Sequence, residues 1–516
     1  MIDSNILNQV KGVLSNLNTT FTFVVEREPG NAKWEGCVRF VEEVASCSSR
    51  IGVEYRDGFA FRFGVVRNGE DTGITFRGIP SGHEFTSLLL VLLNGDGQGR
   101  NLPDAALTRR IKALPGVKLT TYVSLSCTNC PDVVQALNVM ALLNPAISHE
   151  VVDGAVCQVE VDRLNIQAVP SVYAGGQLLH VGRGTLGGML DELEDRLGVD
   201  TQPAAGATEH TADLLVLGGG PTGVAAAIYA ARKGLKVALV AQRIGGQVND
   251  TTGIENIISV PSTTGKQLAA DLATHLGKYP VEVHDNRKIT RVDFSGAVKR
   301  VATRGHETFL APRVIIATGA GWRRLGLADE DKYVGHGIHF CPHCDGPFYK
   351  GRDVAVIGGG NSGVEAAIDL AGTCRHVSLF EFGDRLKADD VLQHKLRNLP
   401  NVDVFLNSQT YGLTGDGSKL TGIDVRDLST GEERHVALHG VFLQIGLKPN
   451  SDVFKDAVEM NPRGEIVADG RNRTSVPGVY AAGDVSTTPF KQIMIAMGDG
   501  AKAALSAFED SMYQPA

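Results

Sequence analysis

The sequence predicts a multidomain α/β protein, on three observations. Two stretches read as strand, glycine turn and Ala-rich helix. Residues 213–217 run into Gly218-Gly219-Gly220-Pro221-Thr222-Gly223, and Asp353–Ile357 runs into Gly358-Gly359-Gly360-Asn361-Ser362-Gly363. Two Cys-x-x-Cys pairs, Cys127-Thr128-Asn129-Cys130 and Cys341-Pro342-His343-Cys344, lie in different surroundings. Residues 198–211, between the first pair and the first glycine turn, are small, polar and without apolar periodicity, the composition of a linker.

A chain of 516 residues has room for about three to four domains. The formal charge of −8 and the absence of a basic run leave no electrostatic footprint for nucleic acid or an anionic membrane. Met1-Ile2-Asp3-Ser4 lacks the basic and apolar regions of a signal peptide, and the longest apolar stretch, 88–93, is too short to span a bilayer. A cytoplasmic location is expected. Eight cysteines in a chain this long make no disulphide scaffold, and in a reducing compartment paired cysteines point to catalysis or metal binding. A zinc site would need both pairs to converge; each has a redox-type context, so no metal is assigned. Cys37, Cys47, Cys157 and Cys374 are expected to be buried and structural.

Along the N-terminal part, residues 117–125 read as a strand, the first dithiol as a turn, and 132–143 as a helix. A strand at 147–152, a helix near 156–166, Val169-Pro170, a hairpin of 171–174 and 178–181 around Gly175-Gly176, and a helix at 186–197 follow. This βαβαββα order, with Cys-x-x-Cys after the first strand, resembles the thioredoxin fold. The preceding segment has a similar rhythm: a strand at 21–26, a helix near 38–45, strand material at 51–66, and Gly78-Ile79-Pro80 before a late helix. It reads as a thioredoxin-like repeat without a redox pair. The prediction is therefore two tandem thioredoxin-like folds, 1–100 and 101–197, a linker at 198–211, and a two-dinucleotide-binding, Rossmann-like core.

In a strand–turn–helix setting, the first glycine (Gly218, Gly358) makes the tight turn, the second (Gly220, Gly360) lets backbone approach a pyrophosphate, and the third (Gly223, Gly363) lets the helix pack closely. The helix start, at Pro221 or Asn361, offers unpaired N–H groups to the phosphates. The run 314–319, ending Ala317-Thr318-Gly319, and the run 479–484, ending Ala482-Gly483-Asp484, resemble motifs of two-dinucleotide flavoproteins. That resemblance implies an FAD domain from 212–328 and 451–516, and an NAD domain at 329–450. Asp484 is then expected at the ribityl or phosphate region of FAD. After the strand 377–380 comes Glu381, whose carboxylate can bind both ribose hydroxyls and repel a 2′-phosphate, which favours NADH over NADPH. The corresponding position of the FAD unit holds Gln242, a neutral and weaker hydrogen-bonding group.

The stretch from Cys341 to Glu365 resembles the flavoprotein subunits of the alkyl hydroperoxide reductases. So do Gly245-Gly246-Gln247, Ile254-Glu255-Asn256, Lys491-Gln492-Ile493 and residues 126–134, except that Thr128 stands where His is expected. The resemblance implies that Gly246, Gln247, Asn256, Lys491, Gln492 and Ile493 belong to the cofactor site. It implies a homodimer in which electrons pass from NADH through FAD to Cys341/Cys344, then to Cys127/Cys130, then to a peroxiredoxin that reduces hydroperoxides. Cys344 is expected to face the flavin, Cys341 to exchange, and Asp345 to donate a proton, with His343 the weaker candidate. Cys127 is expected to be the exposed thiol, activated by a helix N-terminus, and Val169-Pro170 resembles the cis-proline turn that flanks such pairs. Glu84, in Gly82-His83-Glu84-Phe85, is expected either to influence that dithiol or to lie on the surface. Both the second dithiol and the nicotinamide must meet the flavin, which calls for rotation of the NAD domain. A general thioredoxin or glutaredoxin reductase, a peroxide-forming NADH oxidase, and a nucleotide sensor remain open on these residues.

Overall fold

A computed structural model of the chain describes residues 2–27, 32–58, 61–99, 102–127, 129–166, 168–199, 208–251, 254, 256–327, 330–340, 342–416 and 419–513. The chain forms two compact units, Met1–Val199 with Arg324–Ile445, and Asp200–Arg323 with Gly446–Ala516.

The N-terminal half of the first unit is one eight-stranded sheet. Its strands are β1 (Phe21–Arg27), β2 (Ile51–Asp57), β3 (Arg62–Arg67), β4 (Glu70–Arg77), β5 (Val117–Val123), β6 (Ile147–Asp153), β7 (Ser171–Ala174) and β8 (Gln177–Val181), in the order β2-β1-β3-β4-β6-β5-β7-β8. The order repeats: β2-β1-β3-β4 and β6-β5-β7-β8 each hold a parallel pair followed by two antiparallel additions. The halves fuse where β4 and β6 pair in parallel, Ile74 opposite His149. Alternation sets the core face, with Phe21, Phe23 and Val25 buried from one strand and Phe63 and Val65 from its neighbour. Phe63 lies 5.6 Å from Phe23 and 5.3 Å from Phe76, an aromatic ladder across three strands.

The helix after β5 starts at Cys130, not at 132, because Pro131 is tolerated in a first turn, where no N–H is needed. The helix predicted near 156–166 is shorter, Gln158–Arg163. Two helices were not predicted, Ser4–Leu14 and Ala105–Ala113; the Asp3 and Asp104 carboxylates accept N–H bonds at their starts.

The rest of the first unit is a parallel sheet, in the order Ile338–His339, Gly440–Leu443, Asp353–Ile357, His376–Phe380, Val402–Phe405, with a three-stranded antiparallel sheet beside it in sequence. The second unit holds a parallel sheet ordered Val281–His284, Val237–Val240, Leu214–Leu217, Arg313–Ile316, Val479–Ala481. Leu214, Leu215, Val216 and Leu217 are all fully buried, as expected of a strand covered on both faces. In both sheets the strand that leads into the glycine turn, Leu214–Leu217 or Asp353–Ile357, is central and the order reverses beside it.

The predicted linker is corrected at its end. Thr208–Thr211 is a strand pairing in parallel with Glu307–Ala311, so these residues are anchored. His210, in that strand, stacks on Phe309 at 4.7 Å. Among the described residues, no helix is long and apolar enough to cross a membrane.

Candidate active site

The two glycine turns are built alike. A Cβ at Gly218 would lie 2.2 Å from the Ala317 carbonyl oxygen, and one at Gly223 would lie 1.8 Å from that of Gly218. In the second turn the distances are 2.2 Å from Gly358 to the Gln444 carbonyl and 1.8 Å from Gly363 to that of Gly358. Gly218 and Gly358 have φ of +122° and +117°. The first glycine thus fits the turn against the adjacent strand, and the third brings the helix onto the first.

The middle positions differ. A Cβ at Gly220 would meet nothing nearer than the Gly246 Cα at 4.0 Å, and one at Gly360 would meet nothing within 4 Å. Both residues cap long helices, Pro221–Arg232 and Asn361–Ala371. Open space over backbone N–H groups at a strand C-terminus fits a dinucleotide pyrophosphate.

The other predicted residues of the first site lie in the same unit. Gly246 approaches Gly220, and Gln247 follows in the short helix Gly246–Asp250. Asn256 Nδ2 donates to Gln492 Oε1 at 3.0 Å, joining two segments far apart in sequence. Thr318 Oγ1 donates to the Asn450 carbonyl at 2.7 Å, and Gly319 has φ +66°. Gly483 leaves no room for a side chain, because Thr222 Oγ1 would lie 2.2 Å from its Cβ. Asp484 follows; burial holds its carboxyl above the usual range, opposed by Lys491. Lys491 Nζ pairs with Glu465 at 2.9 Å, and Ile493 opens the last helix. Gln242 is exposed.

Glu381 is buried at the second site. Its Oε2 accepts from the Gly359 N–H at 2.6 Å and its Oε1 from the Gly383 N–H at 2.9 Å, with Lys387 Nζ 3.6 Å away. The carboxylate is held at the mouth of the glycine turn.

Cys127 and Cys130 are both buried, and the expectation of an exposed Cys127 is corrected: it is 3% accessible. From the same unit, Phe348 packs against the N-terminal core, and Asp345 is near enough for its charge to oppose a Cys127 thiolate. Even so, the Cys127 thiol titrates below its ordinary value. Its thiolate accepts from the Cys130 thiol first, and from the N–H groups of Asn129 and Cys130. Cys130 is pushed well up by burial, then by Cys127, with a contribution from Glu84. The nucleophile and the resolving thiol are thereby distinguished. The Val169–Pro170 bond is cis, and the Val169 carbonyl faces Cys127 Sγ at 3.7 Å.

Glu84 is fully buried, not a surface carboxylate. It comes from the half without a dithiol and acts on the dithiol of the other. Cys37, Cys47 and Cys374 are buried, whereas Cys157 is half-buried, with Arg77 Nη2 3.3 Å from its sulphur.

Thr128, Cys341 and the side chains of His343 and Cys344 lie outside the described residues. Asp345, adjacent to Cys344, closes the helix Pro342–Asp345, and its Oδ2 is 3.2 Å from His339 Nδ1. Sequence reading missed His339; nothing in its spacing marked it. His210, His284 and Glu307 bring three ligand-type groups together. The buried Arg287 donates to both oxygens of Glu307, at 2.7 and 3.2 Å, and so sets a fixed positive charge beside the cluster.

Two glycine turns on parallel sheets, one followed by a buried carboxylate and preceded in sequence by a Cys-x-x-Cys pair, fit a class of nucleotide-driven disulphide enzymes. The pyridine nucleotide-disulphide oxidoreductase family matches residues 212–500. The alkyl hydroperoxide reductase F protein of Pseudomonas putida is 46% identical over 514 residues, covering 99% of this chain and 98% of that protein. A Bacillus subtilis protein named NADH dehydrogenase is 45% identical over 511 residues, covering 99% of each. Among solved structures, Lactococcus lactis thioredoxin reductase (FR conformation) matches with a TM-score of 0.55 at 32% identity, covering 59% of this chain and all of that one. The thioredoxin reductase of T. acidophilum matches with a TM-score of 0.54 at 37% identity, covering 58% and 99%. The chain belongs to the pyridine nucleotide-disulphide oxidoreductases, in the branch of the alkyl hydroperoxide reductase F proteins, and is a flavin disulphide oxidoreductase.

Proposed function

We propose that the chain takes electrons from NADH and delivers them as a dithiol to a peroxiredoxin, acting as a cytoplasmic homodimer. One observation carries the reading: Asp345, the residue that follows Cys344 in the chain, is near enough to Cys127 for its charge to act on a thiolate there. A sulphur relay needs an outer dithiol within reach of an inner one. The domain reading goes with it, as two tandem thioredoxin-like modules, an FAD domain and an NAD domain. The repeated strand order, the Cys-bearing helix start after β5 and the cis Val169–Pro170 turn support the tandem modules.

FAD, when bound, supplies the two-electron exchange between nicotinamide and disulphide. Gly218, Gly220 and Gly223, with Asp484, would hold it. Gly358, Gly360, Gly363 and Glu381 would hold NADH, the carboxylate excluding a 2′-phosphate by repulsion. The thiolate of Cys341 attacks Cys127 in the outer disulphide, forming the Cys341–Cys127 bond and releasing Cys130, which takes up a proton. Cys344 then attacks Cys341, restoring the inner disulphide and freeing the Cys127 thiolate. Two electrons have moved outward, and Cys127 attacks the disulphide of the partner.

The full-length protein is loaded with FAD and titrated with NADH, following flavin absorbance at about 450 nm. NADH consumption is then measured with peroxiredoxin plus peroxide, and with thioredoxin. The reading expects bleaching, turnover with peroxiredoxin, and loss of that turnover in Cys127→Ser. Preference for thioredoxin, or wild-type turnover in Cys127→Ser, refutes it.

A further inference from the structure

Asp345 does not stand alone. His339, with its side chain 1% accessible, lies between two partners: Nδ1 is 3.2 Å from Asp345 Oδ2 and Nε2 is 2.6 Å from the Tyr349 hydroxyl. Backbone and packing fix all three. His339 ends the strand Ile338–His339, paired opposite Phe442, whose ring lies 5.3 Å from the imidazole. Tyr349 is buried, and its ring is backed by Gly440, where a Cβ would come within 2.5 Å.

The hydrogen-bond inventory sets the protons. An ionised carboxylate only accepts, so Nδ1 carries the hydrogen that faces Asp345. The Nε2 lone pair is then left to accept, and Tyr349 is the donor; burial and the Asp345 charge push its phenol far up, so it keeps its proton. Asp345 thus selects the tautomer, the Tyr349 hydroxyl fills the remaining lone pair, and His339 presents its Nδ1–H to Asp345 Oδ2.

We propose that His339, held between Tyr349 and Asp345, is a positioning residue whose Nδ1–H fixes the Asp345 carboxyl for proton transfer in the thiol relay. The inference rests on the relay reading above, in which Asp345 is the proton donor. The titratable and charged groups facing the triad are Cys127 toward Asp345, His336 toward His339, and Arg352 and Cys374 toward Tyr349. Loss of the His339 donor frees the carboxyl to turn away from the geometry that Nδ1–H holds, and the thiol-dependent rate falls.

The test uses flavin-loaded full-length protein as wild type, His339→Leu, His339→Asn, Tyr349→Phe and Asp345→Asn. NADH–ferricyanide reduction, which needs no thiol, is compared with NADH-driven reduction of the outer dithiol across pH. His339→Leu should leave the ferricyanide rate unchanged and slow the thiol-dependent rate about ten-fold, a fraction of what a general acid supplies. His339→Asn, whose amide N–H takes the place of Nδ1–H, should restore most of the rate. In ¹⁵N-histidine-labelled protein, the His339 resonance should report the Nδ1-protonated tautomer in wild type and keep it in Tyr349→Phe, because Asp345 still accepts. Should His339→Leu fail to fold, the tautomer signal and the thiol-dependent rate of His339→Asn decide. A wild-type thiol-dependent rate in His339→Leu, or an Nε2-protonated His339, overturns the inference. Absence of thiol reduction in the wild type itself overturns the relay instead.

Discussion

Gly220→Ala separates folding from cofactor binding. At Gly220 the backbone is extended, φ −73° and ψ −176°, so alanine adopts it without strain. No protein atom comes nearer than 4.0 Å to the new methyl group. The weaker helix cap costs up to about 1 kcal/mol, and the stiffer unfolded chain returns about 0.4–1 kcal/mol. Folding stability should therefore barely change. The methyl group fills the space where a pyrophosphate meets the helix N-terminus. Losing two charge-assisted hydrogen bonds, at about 1.5–3 kcal/mol each, weakens FAD by roughly 10²- to 10⁴-fold. Gly223→Ala is the contrast: its methyl would sit 1.8 Å from the Gly218 oxygen. There the helix must shift by about 1.7 Å or more to reach ordinary contact, so stability and flavin fall together. FAD titration of the apoprotein and its thermal unfolding read both quantities. Gly360→Ala should copy the effect at the second turn, keeping flavin while raising the KM for NADH about 10²-fold or more. Wild-type flavin affinity in Gly220→Ala would refute the assignment of that space to the pyrophosphate.

Cys130→Ala removes the largest support of the Cys127 thiolate, so Cys127 should titrate higher, read from thiolate ultraviolet absorbance against pH; an unmoved titration contradicts the assignment of that hydrogen bond. Glu84→Gln removes a negative charge near Cys130 and should bring the second thiolate step to lower pH in the same measurement. Arg287→Leu leaves the Glu307 carboxylate buried without its bidentate partner and should cost about 3–5 kcal/mol in urea unfolding, most of it recovered in Arg287→Leu/Glu307→Leu. Residues 200–207 lie between the capped end of the helix Leu186–Leu197 and the strand Thr208–Thr211 and reach at most about 27 Å. Deleting four of them should block peroxiredoxin turnover and leave flavin bleaching by NADH intact.

What was legible in the sequence were the features with a fixed local grammar. The glycine turns carry their meaning in spacing, because the first and third glycines answer close backbone contacts and the middle one leaves open space. Glu381 was readable because it follows a strand at the required offset. The hairpin between β3 and β4 was legible too, and was missed: Asn68-Gly69 takes positive φ at both positions, 51° and 84°, the signature of a tight two-residue turn. Burial of Glu84 and Cys127, and the His339–Asp345 contact, could not be read. Each depends on which element packs over another, and local pattern carries no record of that. The strand at Thr208–Thr211 was hidden for the same reason, since TEHT has linker composition and is ordered by pairing with Glu307–Ala311.

The two nucleotide turns share their glycines yet close differently. In the first, the Gly219 carbonyl accepts from the Gly245 N–H at 2.8 Å, so a backbone loop folds against the turn and the exposed Gln242 takes no part in closing it. In the second, the Gly359 N–H donates to the Glu381 side chain, so the closing group is a carboxylate. A turn held by backbone keeps its shape whatever the side chains do, which suits a cofactor that stays. A turn held by a carboxylate carries its discriminating charge at the point of closure, so a 2′-phosphate meets repulsion from a group already buried and pinned by two N–H bonds. Glu381 cannot swing aside to admit it without giving up both bonds, so on the proposed reading the charge that favours NADH belongs to the turn itself and is not added at its rim.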